Sequence, residues 1–208
     1  TGPCDFRFPD GHASHPDYRT EWWYYTGNLE SDAGEAFGFQ LTFFRISTNP
    51  AIKVSGCSER HSAWRSSQIF AAHFAISDIS RRRFHTAEKM ARAVLGLAGT
   101  STTGEGGFKV YVDDWHAEID DTGHKLHAKA PRFSIELDLL PARSPVAHGE
   151  GGYSRKGESA EEASCYYSIT RLHASGKIVV DGREMPVSGK AWMDHEFSTS
   201  VLSTEQVG

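Results

Sequence analysis

Arg19-Thr20-Glu21-Trp22-Trp23-Tyr24-Tyr25-Thr26-Gly27-Asn28 sets four consecutive aromatic rings directly after a carboxylate. Aromatic residues suit the pleated, half-buried surface of a sheet, so the run predicts a strand. A strand sends alternate side chains to opposite faces: Glu21, Trp23 and Tyr25 share one, Trp22, Tyr24 and Thr26 the other. Each face therefore carries large rings beside a polar group. If one face is packed as core, the rings on the other still need cover, from a second layer of protein or from a ligand.

Working outward, residues 1–18 hold three prolines and two glycines and read as an extended lead-in folded across the mouth of the main body. Its His12 and His15, flanked by Asp10 and Asp17, match no standard metal-site spacing. Phe37 to Ser47 alternates again and should pair with the aromatic strand as an antiparallel hairpin. Thr48 to Ser67 is loop-like. Gln68 to Asp78 reads as a third strand, with His73 among small alanines, either as a satisfied core histidine or as a polar group aimed into a cavity. Lys89 to Ala98 is the one fragment that reads as helix. Phe108 to Ile119, Lys125 to Ala130 and Arg132 to Leu140 read as strands, and Pro141 to Ala163 as a long polar connection and candidate lid. Ser164 to Leu172 and Lys177 to Val180 read as two strands, with Asp181-Gly182 as a hairpin turn before Arg183 to Ser188. Nine or ten short strands with almost no helix predict an all-β antiparallel fold, most simply a barrel; the lack of alternating helices excludes a parallel βαβ sheet.

Composition narrows the function classes. The 208 residues are 38% hydrophobic and 24% charged, which fits a globular domain with one substantial core. No apolar run approaches the roughly 20 residues of a membrane helix. A net charge of −5 with scattered Lys and Arg excludes a nucleic-acid footprint, which needs a clustered basic stripe. Cys4, Cys57 and Cys165 show no paired spacing, leaving a single disulfide open and giving no structural zinc motif. Twelve Phe, seven Tyr and five Trp are the outstanding signal, because they exceed what a polar loop-rich chain needs.

Near the end, Lys190-Ala191-Trp192-Met193-Asp194-His195-Glu196-Phe197 places two carboxylates around an imidazole. On a strand Asp194 and Glu196 share a face and His195 points away, so the three cannot converge as a triad. A buried Asp beside aromatic walls would hold its proton at neutral pH and could donate it. There is no GxSxG elbow and no phosphate-binding loop, so serine-nucleophile and nucleotide chemistries have no support.

These residues carry a resemblance. Phe8-Pro9, His12-Ala13-Ser14-His15-Pro16, Tyr18 through Leu29 and Phe37 through Arg45 resemble the family of carotenoid 1,2-hydratases (hydroxyneurosporene synthases) and AttH-like proteins, the latter often labelled predicted secreted hydrolases. So do Ala72 through Asp78, Tyr166-Tyr167-Ser168 and Trp192 through Phe197. The resemblance implies tandem lipocalin-like β-barrels and members that add water to a terminal isoprenoid double bond. It also implies relatives without assigned activity and cousins that cyclise polyenes. In the family pattern the lead-in reads Asp-His-Gly, whereas here Gly11 precedes His12 and Ala13 follows. Members continue past the acidic cluster, so the expectation is one barrel domain over 1–189 and a truncated second domain begun over 190–208. The family label further implies a periplasmic or secreted protein with its signal removed.

Two functional readings result. In the first, an aromatic-lined cavity of Trp22, Trp23, Tyr24, Tyr25, Gln40, Phe74, Tyr166 and Trp192 binds an apolar lipid or isoprenoid, with membrane-surface association as a further expectation. In the second, the same cavity hydrates an isoprenoid double bond: Asp194, or Glu21 in its place, donates the proton, and His195 or His73 takes one from the attacking water. Neither reading needs a metal or an organic cofactor. Hydrolysis has no identifiable nucleophile.

Overall fold

The computed structural model describes residues 4–48, 66–103, 106–155 and 163–199. Its strands are β1 (Thr20–Ser31), β2 (Ala36–Ser47), β3 (Gln68–Asp78), β4 (Arg83–Arg92), β5 (Ala98–Thr103), β6 (Gly107–Val112), β7 (Trp115–Asp120), β8 (Gly123–Lys129), β9 (Phe133–Pro141), β10 (Val146–Ala147), β11 (Tyr153–Arg155), β12 (Ala163–Val180) and β13 (Arg183–Ser198). They form one antiparallel sheet in the order β4-β3-β2-β1-β13-β12-β9-β8-β7-β6-β5, curled into a nearly closed barrel, with β10 and β11 added beside β12. The aromatic strand β1 sits mid-sheet, laddered along its whole length to β13 and almost as fully to β2.

Alternation along β1 decides what the barrel contains. Trp23 and Tyr25 are fully buried in the interior with Phe37, Phe39, Leu41 and Phe43 of β2. Phe74 of β3, Trp115 of β7 and Met193 of β13 fill the same space. Each such side chain contributes about 1.5–3 kcal/mol of burial, which is why this face and not the other became the core.

Five expectations are corrected. Lys89 to Ala98 is not helix: Lys89-Met90-Ala91-Arg92 completes β4, because ten ladder pairs with β3 outweigh their helical preference. Phe108 to Ile119 is two strands, split by a turn at Asp113 (φ 57°) that returns Trp115 and Ala117 to the buried face. Ser164 to Val180 is one strand, bulged between Ile169 and Leu172, and there it changes neighbour: before the bulge it pairs with β10 and β11, after it with β9. The boundary expected between 189 and 190 falls inside β13, whose residues 190–198 are central to this barrel. The candidate lid at 141–163 contributes two short edge strands laid along β12 rather than a free flap; its residues 156–162 lie outside the described part, as do Cys57, Trp64 and most of the loop at 48–67.

The Asp181-Gly182 hairpin turn is present, with φ 51° and 80°, the positive pair a tight two-residue turn requires. The lead-in folds across one end of the barrel. A disulfide from Cys4 to Cys165 staples it there, and Phe6 and Phe8 stand edge-on to the Tyr167 ring, centroids 5.1 and 5.0 Å away.

Candidate functional site

Two polar clusters lie on opposite faces of β1 and β13. The inner one centres on Glu21, whose side chain is wholly buried, and Arg45 of β2, buried likewise. Arg45 Nε donates to Glu21 Oε2 at 2.8 Å, and its Nη2 reaches the carbonyls of His15 and Tyr18 at 2.8 and 2.9 Å. Burial alone would raise the Glu21 carboxyl, but hydrogen bonds from His15 and His195 and the Arg45 charge hold it below the usual carboxylate range. Glu21 is thus an anion, accepting from His15 Nδ1 (2.8 Å) and His195 Nε2 (2.9 Å).

An acceptor-only carboxylate sets the remaining protons. Burial keeps His195 neutral, so with Nε2 protonated its Nδ1 accepts from the Tyr167 hydroxyl at 3.0 Å. The Tyr167 oxygen then accepts from His12 Nδ1–H at 2.6 Å. Trp23 stacks on His195 with centroids 4.9 Å apart and donates from Nε1 to the His12 carbonyl. His15, Glu21 and His195 bring one donor atom each within 4.8 Å of one another. A cation there would have to break both imidazole–carboxylate bonds and sit beside Arg45, so the Glu21 carboxylate is already charge-paired and hydrogen-bonded without one, although Arg45 Nη1 is buried with no partner among the described residues.

The outer cluster is built by register. Residues directly opposite on paired strands share a face, and three rows cross the sheet. Ala71, Phe44, Trp22, Glu196 and Tyr166 form one; His73, Thr42, Tyr24, Asp194 and Ser168 form the next; Ala75, Gln40, Thr26 and Trp192 form the third. Asp194 is the centre. Tyr166 Oη (3.0 Å), Trp192 Nε1 (2.7 Å) and Ser168 Oγ all donate to its Oδ1. Among the described residues none donates to Oδ2. Glu196 accepts from Ser164 at 2.5 Å. His148, between β10 and β11, stacks on Tyr166 with centroids 4.0 Å apart and places Nε2 2.6 Å from Ser168 Oγ.

The structure therefore divides the predicted site. Asp194, Trp22, Tyr24, Gln40, Tyr166 and Trp192 share the outer face, all half-buried. Trp23, Tyr25 and Phe74 are interior core at 0–1% exposure and line no ligand cavity. Glu21 and His195 lie on the inner face, the first ionised and paired, the second bonded to it, so neither reaches a molecule bound beside Asp194. His73 is exposed on β3 with its ring against Phe44; it is not core, and the shallow pocket it lines with Ala71, Glu88, Lys89 and Met90 lies away from Asp194. Three strand spacings, roughly 14 Å, separate it from Asp194. Sequence reasoning missed Ser168 and His148 on the outer face, and Arg45, Tyr167 and His124 inside. Ser168 was legible as the alternate neighbour of Tyr166; nothing in the loop composition singles out His148.

The AttH-like family model matches residues 1–208. The chain is similar to the crystal structure of a candidate AttH from Nitrosomonas europaea, at 34% identity and a TM-score of 0.82, covering 98% of this chain and 60% of that one. Kievitone hydratase from Nectria haematococca shares the fold, at 11% identity and a TM-score of 0.65, covering 94% of this chain and 52% of that one. The chain thus spans little more than half the length of the solved structures it matches. No curated protein matches it. With the family model spanning the whole chain and the lipocalin-like barrel common to both structures, this protein belongs to the AttH-like family.

Proposed function

We propose that the outer face of β1, β2, β12 and β13 is one wall of a site for an apolar, unsaturated molecule of the isoprenoid class, and that Asp194 protonates its double bond so that water adds across it. The observation that carries this is the dressing of Asp194: three donors converge on Oδ1, leaving Oδ2 as the atom turned to a bound molecule. A carboxylic acid held this way keeps its carbonyl oxygen engaged while the O–H side stays aimed.

Proton transfer from Oδ2 to the less substituted alkene carbon forms a C–H bond and leaves a tertiary cation. The ring faces of Trp22, Tyr24 and Trp192 stabilise such a cation by roughly 0.5–2 kcal/mol for each well-placed ring. Water then forms the C–O bond and releases its extra proton. A hydratase with the same fold is in keeping with the reading, although at 11% identity that likeness concerns the fold alone. The wall is half-buried, so an apolar molecule seated on it needs a second wall to exclude water. The barrel interior, packed with side chains, does not serve as the pocket.

The test is incubation with geranylgeraniol in ¹⁸O-labelled water. Label in the recovered product, lost in Asp194→Asn with the circular dichroism spectrum unchanged, supports hydration. Quenching of tryptophan fluorescence with the ligand recovered unlabelled leaves binding alone. Full labelling by Asp194→Asn removes Asp194 from the chemistry.

A further inference from the structure

Each turnover of an acid catalyst leaves a carboxylate that must regain its proton, and the outer cluster contains a path for it. We infer that His148 recharges Asp194 through Ser168, as the outer end of a two-step proton relay; this rests on the hydration reading above. The chain of atoms is continuous: His148 Nε2 lies 2.6 Å from Ser168 Oγ, and Ser168 Oγ donates to Asp194 Oδ1. The imidazole, protonated by solvent at Nδ1, passes its Nε2 proton to Ser168 Oγ while the Ser168 hydroxyl proton moves to Asp194 Oδ1, leaving a neutral imidazole. A protonated oxygen accepts poorly, so a half-turn of the carboxyl sets the bare oxygen among the three donors and the O–H toward the bound molecule. One proton is thus taken from solvent, and the proton released by the added water returns to solvent, so the sum is alkene plus water to alcohol.

Three features make this a built path. His148 is held at three points: its backbone N–H donates to the Tyr166 carbonyl at 3.0 Å, its ring lies nearly parallel to Tyr166 (15°), and its Nε2 meets Ser168. Ser168 is fully buried, so bulk water does not take its place. The imidazole itself is partly exposed and can exchange protons with solvent. The other two donors to Asp194 are poor relays. An indole N–H does not ionise in the accessible range, and burial together with the adjacent carboxylate pushes the Tyr166 phenol up, so it releases its proton reluctantly.

His148 acts through Asp194 and does not touch substrate, so the test needs readouts that a structural role would leave unmoved. The titratable groups sharing this face besides Asp194 are His73 on β3, Tyr24 on β1, Tyr166 on β12 and Glu196 on β13, and none is altered in the variants. In the labelled-water assay, His148→Ala and Ser168→Ala should each lower kcat about tenfold or more at pH 8 with KM unchanged. The deficit should shrink toward pH 5, where solvent recharges Asp194 directly, and added imidazole should restore His148→Ala but not Ser168→Ala. Unchanged pH profiles, or no imidazole rescue, with an active parent protein would overturn the relay alone. No label from the parent protein would overturn the hydration reading and the relay with it. A second measurement needs no turnover: imidazole ¹⁵N spectra of the resting protein should give the Nε2–H tautomer for His148, with an Nε2 shift that moves in both Asp194→Asn and Ser168→Ala. A resting Nδ1–H tautomer, or an Nε2 shift indifferent to both changes, sinks the relay.

Discussion

Tyr24 of β1 and Asp194 of β13 stand directly opposite each other, so the aromatic run and the acidic cluster, at the two ends of the chain, meet at one point of one face. Two glycines keep these strands close enough for that. A Cβ at Gly189 would lie 2.0 Å from the Asn28 carbonyl oxygen and 3.0 Å from Leu29 Cα, and one at Gly27 would lie 2.6 Å from the Lys190 carbonyl oxygen. Both clashes are with backbone, which cannot swing aside.

Gly189→Ala should therefore destabilise the barrel by about 1–3 kcal/mol, read as a lowered urea midpoint, while Ser188→Ala, at an exposed neighbouring position, should change it little. Equal midpoints for the two variants would mean that β1 and β13 can part without cost.

The Glu21–Arg45 pair should be strongly asymmetric to mutation. Removing one partner leaves the other as an uncompensated buried charge, and Arg45→Ala should cost about 3–5 kcal/mol, whereas Glu21→Gln with Arg45→Met together should cost less than the sum of the singles. A double-mutant cycle by chemical denaturation measures the coupling. Additive singles would show that the two groups are solvated and independent, contrary to their full burial.

Acid should unfold this protein from a relatively high pH. Burial, reinforced by neighbouring imidazoles, lowers His12 to about 3, and burial lowers His124 to about 4. The unfolded chain takes up these protons below the ordinary histidine value and the folded one does not. The stability they contribute is whole above about 6.5 and falls as pH drops toward 4 and then 3, by about 1.4 kcal/mol per pH unit for each group. Glu21, held low, adds a loss of the same sign below the ordinary carboxylate range. Urea midpoints between pH 7.5 and 5 should drop steeply, and His124→Gln, which keeps a polar partner for Tyr25, should flatten that slope. An unchanged slope in this variant would place His124 outside the linkage.

The strand pattern of β1, β2 and β9 was legible because a period of two with rings on one side has no competing solution. The inward turn of His195 and outward turn of Asp194 followed from the same period. What the period could not say was which face of β1 would be core. Trp23 and Tyr25 were read as ligand wall with Trp22 and Tyr24, since all four look alike in the sequence; only closure of the barrel on the Phe37, Phe39, Leu41 and Phe43 side divides them. β4 was misread for a related reason: its four helix-forming residues become strand through an edge that β3 offers from elsewhere in the chain. His148 was out of reach because its partners, Tyr166 and Ser168, are fixed by pairing of β10 with β12, which no local signal announces.

The Cys4–Cys165 bridge should matter for the lead-in more than for the barrel. It closes a loop with a sequence separation of 161 residues, long enough for its loss to cost about 2–4 kcal/mol. Beyond that global effect, Cys4→Ser with Cys165→Ser should loosen the segment that carries His12 and His15. Hydrogen exchange at the Trp23 indole N–H, which donates to the His12 carbonyl at 3.1 Å, should speed up more than exchange at the Trp115 indole, which bonds the Lys129 carbonyl on the far side of the barrel. Equal acceleration at both would mean the bridge stabilises the fold as a whole and holds no particular segment.

Trp192 separates wall from chemistry. Its ring forms part of the apolar face while its Nε1–H is one of the three donors that engage Asp194 Oδ1. Trp192→Phe keeps most of the apolar area and removes only the donor, which frees Asp194 to rotate. A hydrogen bond between neutral groups is worth about 0.5–1.5 kcal/mol, so turnover in the labelled-water assay should fall roughly twofold to tenfold while quenching of the remaining tryptophans by geranylgeraniol keeps its midpoint within about twofold. If quenching is lost and turnover per bound ligand is intact, Trp192 serves as wall only and the orientation of Asp194 depends on Tyr166 and Ser168. If both survive, the outer face is not where the ligand sits.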